Sequence, residues 1–226
     1  GAIELELMKY SEDRVTLQPG STILCASDGL IEQEKNGLMY GESRLREVFL
    51  KYYYLPPEII SRFILKDFQE FIGPAEVNDD ITYLLIQRDF KEKEELSLEM
   101  KNTFNAICDI EEKVRDFLQA FIDDTDMLLI SLHEMLANAV EHGNKYIPEK
   151  KVFVNVSVNT RFIKISIEDE GDGFNWLEAV NKKYDYNNCQ ERGLGIVLTT
   201  AGCDYVFYNE KGNKVCLIKL ADNSIK

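Results

Sequence analysis

The sequence contains no run of lysine and arginine, and acidic residues outnumber basic ones 40 to 26, for a formal net charge of −14. A field of that sign repels polyanions, so nucleic acid and anionic lipid are excluded as electrostatic partners. No stretch of about 20 apolar residues occurs and nothing has the layout of a signal peptide, so no membrane-spanning helix is expected. Only two histidines are present, His133 and His142, which argues against histidine-rich metal chemistry. The five cysteines (Cys25, Cys108, Cys189, Cys203, Cys216) are odd in number, scattered, and never spaced C-x-x-C. They read as reduced thiols of a cytoplasmic protein rather than a disulfide framework or a zinc site. What is plentiful is apolar content: 45% of 226 residues can bury a core and supports one or two domains. The leading Gly1, in place of Met, points to a chain cut from a longer parent.

One stretch stands out, residues 130–144 (ISLHEMLANAVEHGN). Glu134, Asn138 and His142 recur every fourth residue and so share one side of a helix. Leu132, Met135, Leu136 and Ala139 fall at i, i+3, i+4, i+7, an apolar face. Such a helix packs one side on a core and presents a carboxylate and an amide elsewhere. Two glycine-containing segments follow, residues 169–173 (DEGDG) and 191–195 (ERGLG). Glycines Gly171, Gly173, Gly193 and Gly195 let backbone approach a ligand and offer N–H groups to phosphate oxygens. The Asn138 amide oxygen is a hard donor suited to Mg²⁺, which bridges to phosphates. Asp169, at a strand end, can accept a hydrogen bond from an exocyclic amine such as that of adenine. Glu134, one turn from Asn138, can orient or deprotonate an attacking hydroxyl. The three segments together read as a nucleotide pocket. His142 reads as a structural helix-end residue and Glu141 as its solvated neighbour.

The chain divides into two blocks. In the first, residues 3–24 read as extended and 22–26 (TILCA) as a short strand. Helices are expected over 42–53 and, after Pro56 and Pro57, over 58–72; residues 81–86 (ITYLLI) suit a buried strand. Residues 88–101 are charge-dense without a strong apolar period, and the reading is a boundary, with 91–101 as linker. The second block reads helix over 105–121, then the helix described above, then paired strands at 152–158 and 162–168 and again at 205–209 and 214–219. Antiparallel strands with helices on one face make an α/β sandwich.

The E-x-x-x-N-x-x-x-H helix and the D-x-G-x-G and R-G-L-G loops resemble the N, G1 and G2 boxes of GHKL-type ATP-binding domains. The E-H-G-N ending at residues 141–144 is similar to the bacterial anti-sigma-factor serine kinases. The likeness covers about residues 96–226 and implies a Bergerat-type ATP-binding fold over 102–226. Carried onto this chain, it implies Glu134 as catalytic base, Asn138 as Mg²⁺ ligand and Asp169 as adenine contact. Gly171, Gly173, Arg192, Gly193, Leu194 and Gly195 would line the nucleotide, with residues 174–190 as a lid containing Trp176. Histidine kinases share this fold but need a phosphoacceptor histidine ahead of the domain, and none occurs there. The implied acceptor is a serine or threonine on an antagonist protein, and the implied second partner is a sigma factor. The alternative is a non-catalytic nucleotide-binding module that sequesters a regulatory partner.

The first block resembles the C-terminal half of PPM-type serine/threonine phosphatases, in the sporulation-regulator branch. The resemblance rests on residues 27–32 (SDGLIE), 40–45 (YGESRL) and 78–82 (NDDIT). It implies Asp28 and Asp79 as ligands of Mg²⁺ or Mn²⁺ with Asp80 beside them, and a partial α/β sandwich over 1–90. The family's N-terminal half has no counterpart before Ile3, so the metal site and the phosphatase are expected to be incomplete in this chain. An uncovered sheet is expected to expose apolar surface, with a homodimer as one consequence. The whole then reads as a partner-switching regulator carrying a kinase and an opposing phosphatase.

Overall fold

In the computed structural model the described residues are 12–90, 93–175 and 202–221. The chain separates between Lys91 and Glu92 into two compact units. No described helix is long and apolar enough to cross a membrane.

The N-terminal unit contains β1 (Thr22–Ala26), a short α1 (Asp28–Ile31), β2 (Glu34–Lys35), β3 (Leu38–Met39), α2 (Glu42–Tyr52), α3 (Pro57–Ile72) and β4 (Tyr83–Gln87). β2 and β3 form a hairpin around Asn36 and Gly37, both at positive φ, a pairing that suits a two-residue turn. Ile60, Ile64 and Phe68 recur every fourth residue on α3 and are buried, as are Leu30 and Leu55. Asp67 on α3 accepts from Arg44 Nε at 2.7 Å and from the Tyr40 hydroxyl at 3.0 Å, joining it to α2 and the segment before it. The hydrogen bond from Arg44 holds the Asp67 carboxyl below its usual range, against the opposing effect of burial.

β1 and β4 pair antiparallel, Thr22 opposite Gln87 through Ala26 opposite Tyr83. One face packs toward α3, where the Tyr83 hydroxyl meets Ser61 Oγ at 2.6 Å and Gln87 donates to the Leu55 carbonyl. The other face differs from the sequence expectation of a buried strand. Leu84 is 56% exposed and Ile86 45%, beside an exposed Cys25. An alternating strand in a two-stranded sheet has one covered side, and these residues project from the other. Residues 3–11, expected to be extended, lie outside the described residues.

The C-terminal unit is a five-stranded antiparallel sheet in the order β5-β6-β7-β9-β8. Its elements are β5 (Lys93–Lys101), α4 (Asn105–Gln119), α5 (Asp126–Asn138), β6 (Lys151–Asn159), β7 (Phe162–Asp169), β8 (Tyr205–Tyr208) and β9 (Lys214–Leu220). Both helices pack on one face of the sheet: Ile107, Ile110, Val114 and Leu118 of α4 and Leu132, Met135 and Leu136 of α5 share a core with Val154, Val156, Ile165, Ile167 and Leu217. This α-on-β layering is the architecture expected from the order of elements.

Residues 93–101, expected as part of a 91–101 linker, are instead part of the sheet. Lys93–Lys101 form an edge strand in nine-residue register with β6, Lys93 opposite Asn159 and Lys101 opposite Lys151. Within it Leu96, Leu98 and Met100 alternate toward the core, while Glu95, Ser97 and Glu99 are exposed. Charge on an exposed edge discourages pairing with other chains, and here it disguises a strand as a solvated segment.

Candidate functional site

The stretch singled out in the sequence begins as regular α-helix and changes character at Asn138. Residues Ala139–Gly143 form a π-helical turn, closed by the Asn144 N–H on the Ala139 carbonyl at 2.8 Å. Wider turns of this kind are rare and concentrate at functional sites. Glu134 and Asn138 remain on α5 and are half-buried, whereas His142 lies in the π-turn and is exposed. Among the described residues neither Glu134 nor Asn138 has a side-chain hydrogen-bond partner. A carboxylate and a hard amide oxygen one helical turn apart, half-buried and unengaged, fit a Mg²⁺–phosphate ligand and an attacking hydroxyl.

The π-turn delivers Gly143 to Asp169, the last residue of β7. A Cβ at Gly143 would strike the Asp169 carboxylate, and one at Gly171 would strike the Gly143 carbonyl. Two sequence segments 26 positions apart are thus in backbone contact, and larger side chains are sterically excluded there. Asp169 Oδ1 accepts the Gly171 N–H at 2.8 Å. Burial pushes the Asp169 carboxyl above the usual carboxylate range, opposed by the Gly171 N–H and by the charges of Lys150 and Lys211. Gly173, at φ +78°, lies against the Lys211 carbonyl. Just after it, the Phe174 ring meets Tyr208 edge-on at 5.2 Å, and the Tyr208 hydroxyl donates to Met135 Sδ on α5 at 3.4 Å.

Two buried asparagines that the sequence reading passed over hold this loop. Asn144 is fully buried; its Nδ2 donates to the Lys151 carbonyl at 2.8 Å and its Oδ1 accepts the Glu170 N–H at 3.0 Å. Asn213 donates from Nδ2 to the Asp169 carbonyl at 2.7 Å, and its own carbonyl accepts the Asp169 N–H at 2.9 Å. The available signal was the E-H-G-N ending and the G-N of residues 212–213, both polar residues at points where helix or hairpin meets the sheet. Of the remaining expected site residues, Arg192, Gly193, Leu194 and Gly195 lie outside the described residues, as do lid residues 176–190 with Trp176.

In the N-terminal unit, Asp28 caps its own turn, Oδ1 accepting the Gly29 N–H at 3.0 Å, and Asp79 does the same for Asp80 at 2.8 Å. A Cβ at Gly29 would strike the Asp80 carbonyl, and Ser27 and Thr82 exchange hydrogen bonds, Ser27 N–H to the Thr82 carbonyl at 2.8 Å and Thr82 N–H to Ser27 Oγ at 3.1 Å. The two aspartate-bearing segments are therefore adjacent. Gln33, buried, steadies the second: its Oε1 accepts the Asn78 N–H at 2.9 Å and its Nε2 donates to the Glu76 carbonyl. Among the described residues no group of three or more His, Cys, Asp or Glu side chains is placed to hold a metal. A two-metal hydrolytic centre uses more carboxylates than the pair Asp28 and Asp79 that these described segments bring together.

Each unit matches a known family. Residues 105–219, slightly more than half of the 226, match the model of the histidine kinase-like ATPase domain. Residues 2–89 match that of stage II sporulation protein E. An anti-sigma F factor of Bacillus cytotoxicus is 31% identical over 138 residues, covering 56% of this chain and 94% of that protein. The crystal structure of the RsbU and RsbW domains of Rv1364c from Mycobacterium tuberculosis is 19% identical with a TM-score of 0.39. That likeness covers 90% of this chain and 53% of the other, so the chain spans about half the length of that structure.

Proposed function

The chain belongs to the histidine kinase-like ATPase domain family, and from that premise we propose that its C-terminal unit is an anti-sigma-type kinase. It binds ATP with Mg²⁺ and phosphorylates a serine or threonine hydroxyl on an antagonist protein. The same unit also binds a sigma factor. The N-terminal unit belongs to a phosphatase that reverses the phosphorylation. The similarity of the first unit to stage II sporulation protein E supports this pairing of opposed activities.

The observation that carries the reading is the junction at Gly143 and Gly171, where the helix bearing Glu134 and Asn138 meets the loop bearing Asp169. Asp169 accepts the exocyclic amine of adenine. Gly171 and Gly173, with Arg192, Gly193, Leu194 and Gly195, line the nucleotide. Asn138 would hold Mg²⁺, which when bound neutralises charge on the phosphates. Glu134 takes the proton from the acceptor hydroxyl as its oxygen bonds to the γ-phosphorus; the bond to the β-phosphate oxygen breaks and ADP leaves.

The test is phosphotransfer to the cognate antagonist by wild type and Glu134→Ala. Loss of the base is expected to slow transfer by about 10² or more while the ATP Kd changes by no more than about threefold. Undiminished transfer by the variant would refute the base assignment. Wild type that binds ATP and the antagonist yet transfers nothing would establish a non-catalytic binding module instead.

A further inference from the structure

Asn144 is 0% exposed, and both halves of its amide are used. Its three connections leave in different directions: its N–H to Ala139 closes the π-turn, Nδ2 reaches the Lys151 carbonyl at the start of β6, and Oδ1 receives the Glu170 N–H immediately after β7. Only one orientation of the amide serves a carbonyl on one side and an N–H on the other. Aspartate offers no donor, serine is too short to span both partners, and leucine supplies neither bond. Among the described residues, Asn144 is thus the side chain whose hydrogen bonds join the end of the functional helix to the residue that follows Asp169.

What it fixes is the placement of a carboxylate. Gly143, its chain neighbour, lies against the Asp169 carboxylate with no room for a Cβ, and Gly171 lies against the Gly143 carbonyl. A shift of residue 170 away from the helix would move Asp169 and Gly171 together. Asn213 restrains the Asp169 backbone from the hairpin side, but the connection to the helix runs through Asn144. We propose that Asn144 is a positioning residue for base selection: it holds Asp169 at the depth and angle from which the carboxylate meets a 6-amino purine. This rests on the reading of Asp169 as the adenine contact.

The test compares the affinity of the full chain for ATP with that for purine riboside triphosphate, which lacks only the exocyclic amine. Wild type, Asp169→Asn, Asn144→Leu and Asn144→Asp are measured. Wild type is expected to prefer ATP, and Asp169→Asn to lose most of that preference. Asn144→Leu is expected to narrow the ATP preference by about tenfold, with purine riboside triphosphate affinity held within about threefold. Asn144→Asp keeps the native shape and the bond from Glu170, so it provides the reading if the leucine variant does not fold. Combining either Asn144 variant with Asp169→Asn should narrow the preference no further than Asp169→Asn does alone, because the residues act through one contact. An ATP preference unchanged in both Asn144 variants while Asp169→Asn abolishes it would overturn the positioning role and leave the adenine reading standing. Equal loss of both nucleotides would overturn it as well, since that is what simple loosening of the fold produces. An unchanged preference in Asp169→Asn would overturn the adenine reading, and the proposal with it.

Discussion

Burial raises the Asp169 carboxyl above the usual carboxylate range, while the Gly171 N–H, Lys150 and Lys211 favour its charged form. Two consequences of opposite sign follow. With the folded pKa above the unfolded one, the native state takes up a proton first as pH falls. The cost of burying the charge is therefore present above the folded pKa and is relieved as pH drops through it toward the ordinary aspartate range. Acceptance of an amine behaves the other way, because protonation removes an acceptor from the carboxyl. Asp169→Asn, which keeps an oxygen for the Gly171 N–H, is expected to melt at or a few degrees above wild type at neutral pH. ATP preference over purine riboside triphosphate is expected to decline in wild type as pH is lowered from about 7 to about 4, across the carboxylate region. The ratio cancels titration of the phosphates, which both ligands share. A ratio that stays flat over that range, or a variant melting well below wild type, would contradict this account.

The elements differ in how much of the unit depends on them, and β5 is the most consequential correction. A fragment starting at residue 102, where the charge pattern suggested a boundary, lacks the strand that pairs with β6 from Lys93 to Lys101. It also removes Met100 from the core, a side chain whose full burial is worth about 1.5–3 kcal/mol, together with the partly buried Leu96 and Leu98 packed against it. Against a typical domain stability of about 5–15 kcal/mol, that loss is decisive. A fragment of residues 92–226 is expected to unfold cooperatively in urea, and one of residues 102–226 to show no cooperative transition; equal midpoints would show that the strand is dispensable. The legible elements were those whose period was undiluted: α4 with Ile107, Ile110, Val114 and Leu118, α5 with its apolar face, and the alternating β6 and β7. β5 was hidden because charged residues flank it and fill its outward positions, so its short alternation of Leu96, Leu98 and Met100 sits inside a charge-dense stretch. The hairpin at Asn36 and Gly37 went unread, because it rests on turn chemistry between two-residue strands rather than on hydrophobicity. The π-turn has no signature in a one-residue pattern, since Ala139–Gly143 continues the helical spacing by composition. Glu134, Asn138 and Asp169 stood out as candidates because the proposed chemistry restricts residue type, whereas Asn144 and Asn213 act through bonds to backbone that no local pattern reveals.

Across the whole chain the two units supply unequal sets of donors, and divalent cations distinguish them. In the N-terminal unit the close approach of Gly29 to Asp80 brings the Asp28 and Asp79 segments together, but the described residues assemble no group of three ligands. In-line attack on a phosphoester between two metals requires carboxylates that clamp both ions. Titration of Mn²⁺ into the full chain, followed by calorimetry without nucleotide, is therefore expected to show no tight two-site isotherm. The net charge of −14 attracts cations everywhere on the surface, so weak heats at millimolar Mn²⁺ are expected. Those should fade as added salt shortens the screening length to about 10 Å or less. Asp28→Asn with Asp79→Asn separates the units further. It is expected to leave Mg-ATP affinity unchanged, since the residues proposed for nucleotide lie in the other unit. Tight stoichiometric binding of two Mn²⁺ that persists in salt and disappears in the double variant would mean the N-terminal unit completes its site with groups other than these. It would also restore hydrolysis of the phosphorylated antagonist as an activity to be sought in this chain.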